Sequence, residues 1–411
     1  MRGNLLTQIF AAFVIAIILG AMVGPAIEVV KPLGDLFLNL IKFIMAPLIL
    51  TTLVVGVAST GNPKKLGRIG GKTVVYYLVT TGIAVVIGLA FGFLFSPGSG
   101  LDLTVSETEA VEPGEAEGFI QTLLGIIPTN PFSALAEGNV LQIIFFAIFV
   151  GVGITVVGNK AQPVQQFFEG FAEIMYKITG AVMRLAPIGV FGLIAPVVGE
   201  YGLSVLMPLL KAITAVAVAC IVHALITYSI AVKKFASMNP FQFFKGISPA
   251  ALIAFSTCSS SGTLPVTLKN TQENLGVSNR ISSFVLPLGA TINMDGTAIY
   301  QGIAVLFIAQ FYGLDLTFVQ LLTVVLTTVL ASVGTAGIPG AGMIMLTMVL
   351  STVQFPLEGI ALIAGVDRIL DMFRTCVNVV GDASAAVVVA GSEDELEGQA
   401  TEKQSSPSVP M

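Results

Sequence analysis

Long apolar runs alternate with short polar breaks along most of the chain, and the runs have the length a bilayer demands. Roughly 20 predominantly apolar residues cross a hydrocarbon core of about 30 Å. Runs of that order predict helices at 5–23, 34–57, 74–95, 164–198 and 206–232, and an interrupted one at 281–312. Between the third and fifth lies a segmented region, where 120–127 stops at Pro128 and Pro131 precedes a restart at 140–157. Helices end or kink at such prolines. A membrane β-barrel would instead show short alternating segments. The expected class is an all-α polytopic membrane protein with about eight transmembrane helices.

Two further segments are apolar at both ends and polar in the middle. In 249–268 the centre reads Ser256-Thr257-Cys258-Ser259-Ser260-Ser261-Gly262-Thr263, and Lys245, Lys269 and Arg280 flank it on both sides. Basic flanks put both ends in the cytoplasm. The segment is expected to be a re-entrant helical hairpin, whose irregular tip needs protein or a wet cavity around it. Residues 318–355 repeat the pattern around 332–342 without a basic flank, so this hairpin is expected to enter from the other side. Hairpin and broken span, then hairpin and polar span, make an inverted repeat. Secondary transporters have that architecture, with the site at the repeat interface near the midplane.

The last apolar stretch, 360–390, carries groups that lipid would reject. Asp371, Arg374, Thr375, Asn378 and Asp382 stand at i, i+3, i+4, i+7 and i+11, one face of a single helix, and Asp367 extends the stripe at i−4. A charged side chain at the bilayer centre costs roughly 2.5–3.5 kcal/mol on insertion scales. These groups therefore face protein, water, ions or a solute. Asn293, Asp295, Asn378 and Asp382, with the carbonyls of interrupted helices, make an oxygen-only set that suits Na⁺ or another hard cation. Arg374 offers a planar fork for a carboxylate. Asp371, one turn away, suits an ammonium group, so the pair is shaped for an acidic amino acid. An intrahelical ion pair serving stability alone is the competing reading of Asp371 and Arg374. Proton coupling, a C4-dicarboxylate substrate, an anion channel and an intramembrane serine hydrolase are the competing functions. The last needs a base beside the serines, and neither His223 nor Lys269 is placed there by the topology.

Composition and charge agree. The chain has 411 residues, 55% apolar and 10% charged, with a mean hydropathy of +0.92. Cys220, Cys258 and Cys376 are odd in number and without spacing, which argues against a disulfide framework or a zinc site. His223, in a run of Ala, Val and Ile, is expected to be a packed structural histidine. Lys42, Lys177, Arg184 and Lys211 are assigned to snorkelling or to subunit and lipid contacts. Arg2, Lys64, Lys65, Arg68, Lys72, Lys160, Lys233 and Lys234 fall on one side of the predicted spans, while the loop 96–118 carries six acidic residues and no base. The positive-inside rule puts both termini in the cytoplasm. The first run is long enough to remain as a span, so no cleavable signal is expected. A multi-pass protein of the cytoplasmic (inner) membrane is expected, in contact with lipid and without a nucleic-acid partner or an organic cofactor.

Four motifs carry a resemblance. Ser259-Ser260-Ser261-Gly262-Thr263, Asn293-Met294-Asp295-Gly296-Thr297, Gly337-Ile338-Pro339-Gly340-Ala341-Gly342 and Asp371-Met372-Phe373-Arg374-Thr375-Cys376-Val377-Asn378 together resemble the dicarboxylate/amino acid:cation symporters. That family includes the archaeal aspartate transporters and the excitatory amino-acid transporters, and the likeness runs along essentially the whole chain. It implies a homotrimer in which a scaffold holds the trimer while a transport domain moves as an elevator. The corresponding division is helices 1–6 in 1–235, with helices 3 and 6 joining the transport domain. The core follows in 236–391, and a disordered cytoplasmic tail in 392–411. By the same resemblance Arg374 holds the substrate side-chain carboxylate beside Thr297 and Thr375, and Asp371 the amino group. Asn378, Ser260 and Ser261 hold the α-carboxylate, and Ile338 and Gly342 belong to the outer gate. Co-transported sodium is assigned to the Gly289 carbonyl, Asn293, Asn378 and Asp382. A second ion falls to Tyr77, Thr80, Thr81, Asn293 and Asp295, and a third to the backbone of Thr291, Ser332, Val333 and Thr335. In one respect the chain departs from the family. A second arginine is expected where Cys258 or Met372 stands, and Arg368, one turn before Met372, is the candidate substitute.

Overall fold

The computed structural model describes residues 5–59, 63–99, 125, 127–332 and 340–396. Among them the chain is helical, with one isolated antiparallel bridge between Val277 and Leu396. In an apolar solvent every backbone group must be satisfied within its own segment, and the helix does this. The first half runs through α1 (Leu5–Val23), α2 (Lys31–Ser59), α3 (Pro63–Phe95), α4 (Pro131–Glu137), α5 (Val140–Val157), α6 (Gln162–Met183), α7 (Ala186–Tyr201), α8 (Leu206–His223) and α9 (Ser229–Ala236). The second half comprises α10 (Pro240–Thr257), α11 (Ser260–Glu273), α12 (Asn279–Ile292), α13 (Asp295–Phe311), α14 (Phe318–Ser332), α15 (Ala341–Thr352), α16 (Ile360–Ala364) and α17 (Asp367–Ser392).

Two expected elements are divided. The run 164–198 forms α6 and α7, parted at Arg184 and Leu185. Pro187 lies in the first turn of α7, where its missing N–H costs nothing. The stretch 360–390 breaks at Gly365 and Val366, so Asp367 opens α17, at the end of a helix that favours an acid. The break expected at the polar tip 256–263 is present. Cys258 takes a left-handed conformation (φ 54°) that ends α10. Ser259 caps α11, its Oγ accepting the N–H of Gly262 at 3.0 Å. Helices α10 and α11 pack on each other, as do α14 and α15. The tip at 333–339 lies outside the described residues.

Packing sorts the helices. Helix α1 lies against α7, and α2 against α5, α6 and α7. Helix α17 sits among α3 and α8 to α13, while α3 runs along α13. The most apolar stretch of Asn279–Phe311 is wholly buried, against 17% of that in Thr7–Ala58. The polar break between α12 and α13 is therefore enclosed by protein, whereas Phe10, Ile15, Ile18, Phe43, Phe149 and Phe167 turn outward. Among the described residues six segments are long and apolar enough to span a membrane. Such outward apolar cover over an interior with buried charge belongs to a multi-pass membrane protein. At the far end of α17, Glu393 pairs with Arg68 and Lys72 of α3, and Glu395 with Ser278 and Arg280.

Candidate functional site

The stripe predicted on α17 is buried as a unit. Arg374 has no exposed surface, and its guanidinium lies 4.2 Å from the ring centroid of Tyr300. Nη1 donates to Asp367 Oδ1 at 2.9 Å. Nη2 is 3.0 Å from Asp371 Oδ1, close enough for an ion pair but off the line of a hydrogen bond. Nε and Nη2, the two donors of the guanidinium's side edge, therefore have no hydrogen-bond partner among the described residues. Asp371 also accepts weakly from Thr375 Oγ1 at 3.3 Å and from the Gly340 N–H at 3.4 Å. The start of α15 rests on this guanidinium, and a Cβ on Gly342 would lie 2.5 Å from Nη1, so the approach requires glycine there. Buried donors are almost always satisfied, so a buried guanidinium edge whose Nε has no partner among the described residues, and whose Nη2 has only the Asp371 ion pair, is a place for an anion.

A second cluster surrounds the break between α12 and α13. Asn293 Nδ2 donates to Asp382 Oδ1 at 2.9 Å and to the Asn378 carbonyl at 3.1 Å, while its Oδ1 has no partner among the described residues. Asn378 Oδ1 accepts the Gly296 N–H at 2.8 Å, and its Nδ2 reaches Met294 Sδ and Thr297 Oγ1. Asp295 Oδ1 accepts from Thr81 at 2.7 Å and Thr80 at 3.3 Å. The Tyr77 hydroxyl and the Asp382 carboxylate converge beside Gly289. Among the described residues no three His, Cys, Asp or Glu side chains gather as a metal site of their own. Two carboxylates, amide oxygens and hydroxyls are the donors a hard monovalent cation takes, and they leave no place for zinc.

Residues 5–392 match the family model of the sodium:dicarboxylate symporter family. The chain belongs to that family. It is 39% identical to a proton/sodium-glutamate symport protein of Geobacillus stearothermophilus over 97% of this chain and 95% of the relative. It is equally close to a proton/glutamate-aspartate symporter of Escherichia coli, over 97% and 94%. A C4-dicarboxylate transport protein of Bacillus subtilis is 36% identical over 96% and 94%.

For this symporter-family member the two clusters gather most of the residues expected from sequence. Asp371, Arg374, Thr375 and Gly342 meet in the first. Tyr77, Thr80, Thr81, Gly289, Asn293, Asp295, Thr297, Asn378 and Asp382 lie around the second. Thr291 and Ser332 turn their hydroxyls back to the carbonyls of Leu288 and Val329 in their own helices. Ser260 is buried in the first turn of α11 and Ser261 is exposed. Val333, Thr335 and Ile338 lie outside the described residues. Asp367, placed on the stripe by sequence but given no role, holds Arg374. Two residues were missed. His223 Nε2 and Tyr228 Oη both reach Asp295 Oδ2, at 3.3 and 2.8 Å. Helical periodicity conceals that pair.

Proposed function

We propose that this chain is a secondary active symporter that imports an acidic amino acid, glutamate or aspartate, together with sodium ions. The observation that carries the reading is the buried side edge of Arg374, two donors without hydrogen-bond partners beside the Asp371 carboxylate. A carboxylate accepted by Nε and Nη2 and an ammonium group on Asp371 describe the two ends of one acidic amino acid. Thr297, Thr375, Asn378, Ser260, Ser261, Ile338 and Gly342 complete this substrate site. Asn293 Oδ1, without a partner among the described residues while its Nδ2 holds Asp382, supports cation binding nearby. The names of the relatives, proton/sodium-glutamate and proton/glutamate-aspartate symporters, support both halves of the reading.

The wider arrangement follows from it. Hairpins α10–α11 and α14–α15 enter from opposite sides, and the core moves as an elevator against a scaffold that joins three copies. Both termini face the cytoplasm, and the chain performs no catalysis. Each Na⁺ descending a tenfold gradient and 100 mV releases roughly 1.4 plus 2.3 kcal/mol. Two ions that carry in one monoanion leave about 5 kcal/mol to concentrate it.

A second reading, a C4-dicarboxylate substrate, is favoured by the relative of that name. Asp371 separates the two, because a plain dicarboxylate leaves it facing no ammonium group. The test is uptake of labelled aspartate and succinate into proteoliposomes, with Na⁺ and pH gradients imposed separately. Aspartate uptake driven by Na⁺ alone supports the proposal. Uptake driven only by the pH gradient, or confined to succinate, overturns it.

A further inference from the structure

The two oxygens of Asp295 face different surroundings. Oδ1 looks toward α3 and the hydroxyls of Thr80 and Thr81. Oδ2 is met from the opposite side by Tyr228 Oη at 2.8 Å and His223 Nε2 at 3.3 Å. His223 and Tyr228 are five residues apart, which on a regular α-helix sets them roughly 140° apart around the axis. They share a target here because Ala224–Tyr228, the segment joining α8 to α9, is a π-helical turn. Its i to i+5 hydrogen bonds widen the coil and bring residue i+5 back over residue i. The rings meet edge-on, 5.0 Å between centroids.

Both side chains are fully buried. The tyrosine hydroxyl also lies 3.3 Å from the Val377 carbonyl of α17. It is admitted there by Gly381, where a Cβ would stand 2.5 Å from Oη and 2.6 Å from Asn293 Nδ2. Thr227 Oγ1 is 3.3 Å from His223 Nδ1. His223 therefore turns Nε2 toward Asp295 and Nδ1 toward Thr227.

We infer that His223 and Tyr228 are positioning residues that clamp Oδ2 of Asp295, so that Asp295 presents Oδ1 alone to the cation and the clamp sets which cation is preferred. This rests on the reading of Asp295 as a cation ligand. Carboxylates bind cations through one oxygen or two. With Oδ2 held, the site keeps one size; with Oδ2 released, the group rotates, chelates, and adapts to ions of other radii. A π-turn is rare within helices and is frequently found at functional sites.

The test uses the purified full-length chain and labelled aspartate binding, titrated with NaCl or LiCl at constant ionic strength. Tyr228→Phe and His223→Leu each remove one donor to Oδ2, and His223→Gln returns an N–H near the Nε2 position. The Na⁺ to Li⁺ preference is expected to shrink severalfold in Tyr228→Phe and His223→Leu, and His223→Gln restores it. A lower melting temperature with an unchanged Na⁺ to Li⁺ ratio would mean that the pair only packs, and would overturn the inference. Asp295→Asn tests the underlying reading separately. If it retains wild-type Na⁺ dependence, Asp295 is no ligand and the inference falls with it. If it loses that dependence while Tyr228→Phe and His223→Leu keep the wild-type ratio, only the clamp is wrong.

Discussion

Arg368 Nη2 donates to the carbonyl oxygen of Thr257, 3.3 Å away, and so ties the start of α17 to the last residue of α10. The final carbonyls of a helix lack intrahelical partners, and this contact supplies one. Nη1 of the same guanidinium lies 3.9 Å from Asp371 Oδ2. Arg368 thus bridges the serine tip and the polar stripe.

Arg368→Ala is expected to slow transport, because the tip loses its tie to α17. This charge-assisted hydrogen bond, worth roughly 1.5–3 kcal/mol, holds the tip and not the substrate, so the aspartate Kd should move by less than about tenfold. Uptake rates and binding titrations on the same preparation check this. Loss of aspartate binding with retained serine binding would instead make Arg368 a direct reader of the substrate carboxylate.

Asp367→Asn leaves Arg374 with one carboxylate fewer. Removing one partner of a buried ion pair costs about 3–5 kcal/mol, so the ligand-free protein should melt at a lower temperature. A bound acidic substrate supplies the missing charge. The rise in melting temperature on adding aspartate should accordingly be larger in Asp367→Asn than in the wild type. An equal or smaller rise would show that Asp367 does not compensate Arg374.

The Arg68 hydrogen bond, followed by that of Lys72, holds the Glu393 carboxyl below its ordinary value of 4.5. A carboxylate lowered in the folded state contributes stability above the unfolded value and loses it as pH falls through the folded one. Hydrogen exchange at 392–396, corrected for intrinsic rates, should be constant from pH 7 to about pH 5 and rise only below the ordinary glutamate range. Arg68 is exposed, so high salt should weaken this clasp. Glu393→Gln should show the acid behaviour at neutral pH.

Much of this arrangement was legible in the sequence. The offsets of Asp371, Arg374, Asn378 and Asp382 fix one helical face wherever the helix begins. The polar runs at 256–263 and 289–297 marked the breaks found at Cys258-Ser259 and Asn293-Met294. Proline punctuation was less informative. Pro187 opens α7, yet Pro47, Pro196, Pro249, Pro265 and Pro287 lie inside helices, as membrane helices tolerate. The His223–Tyr228 pairing was invisible, since a five-residue spacing joins one face only in a π-turn, which periodicity does not encode.

The opposed entry of the two hairpins can be read with single cysteines in a background lacking Cys220, Cys258 and Cys376. A cysteine at Lys269 should react with an impermeant thiol reagent from the cytoplasmic side, and one at Gln354 from outside. Labelling of both from one side would break the inverted-repeat reading.

The central claim is that the Nε and Nη2 edge of Arg374 reads the second carboxylate of the substrate. Binding titrations of aspartate and serine to wild type and to Arg374→Ala, on samples shown to be monodisperse, test it most directly. Losing a charge-assisted hydrogen bond costs at least ~1.5–3 kcal/mol, so aspartate should bind ten- to hundredfold or more weakly. Serine, whose amino group still meets Asp371, should gain relative preference. Parallel loss of both ligands, or aspartate affinity unchanged, would contradict the account.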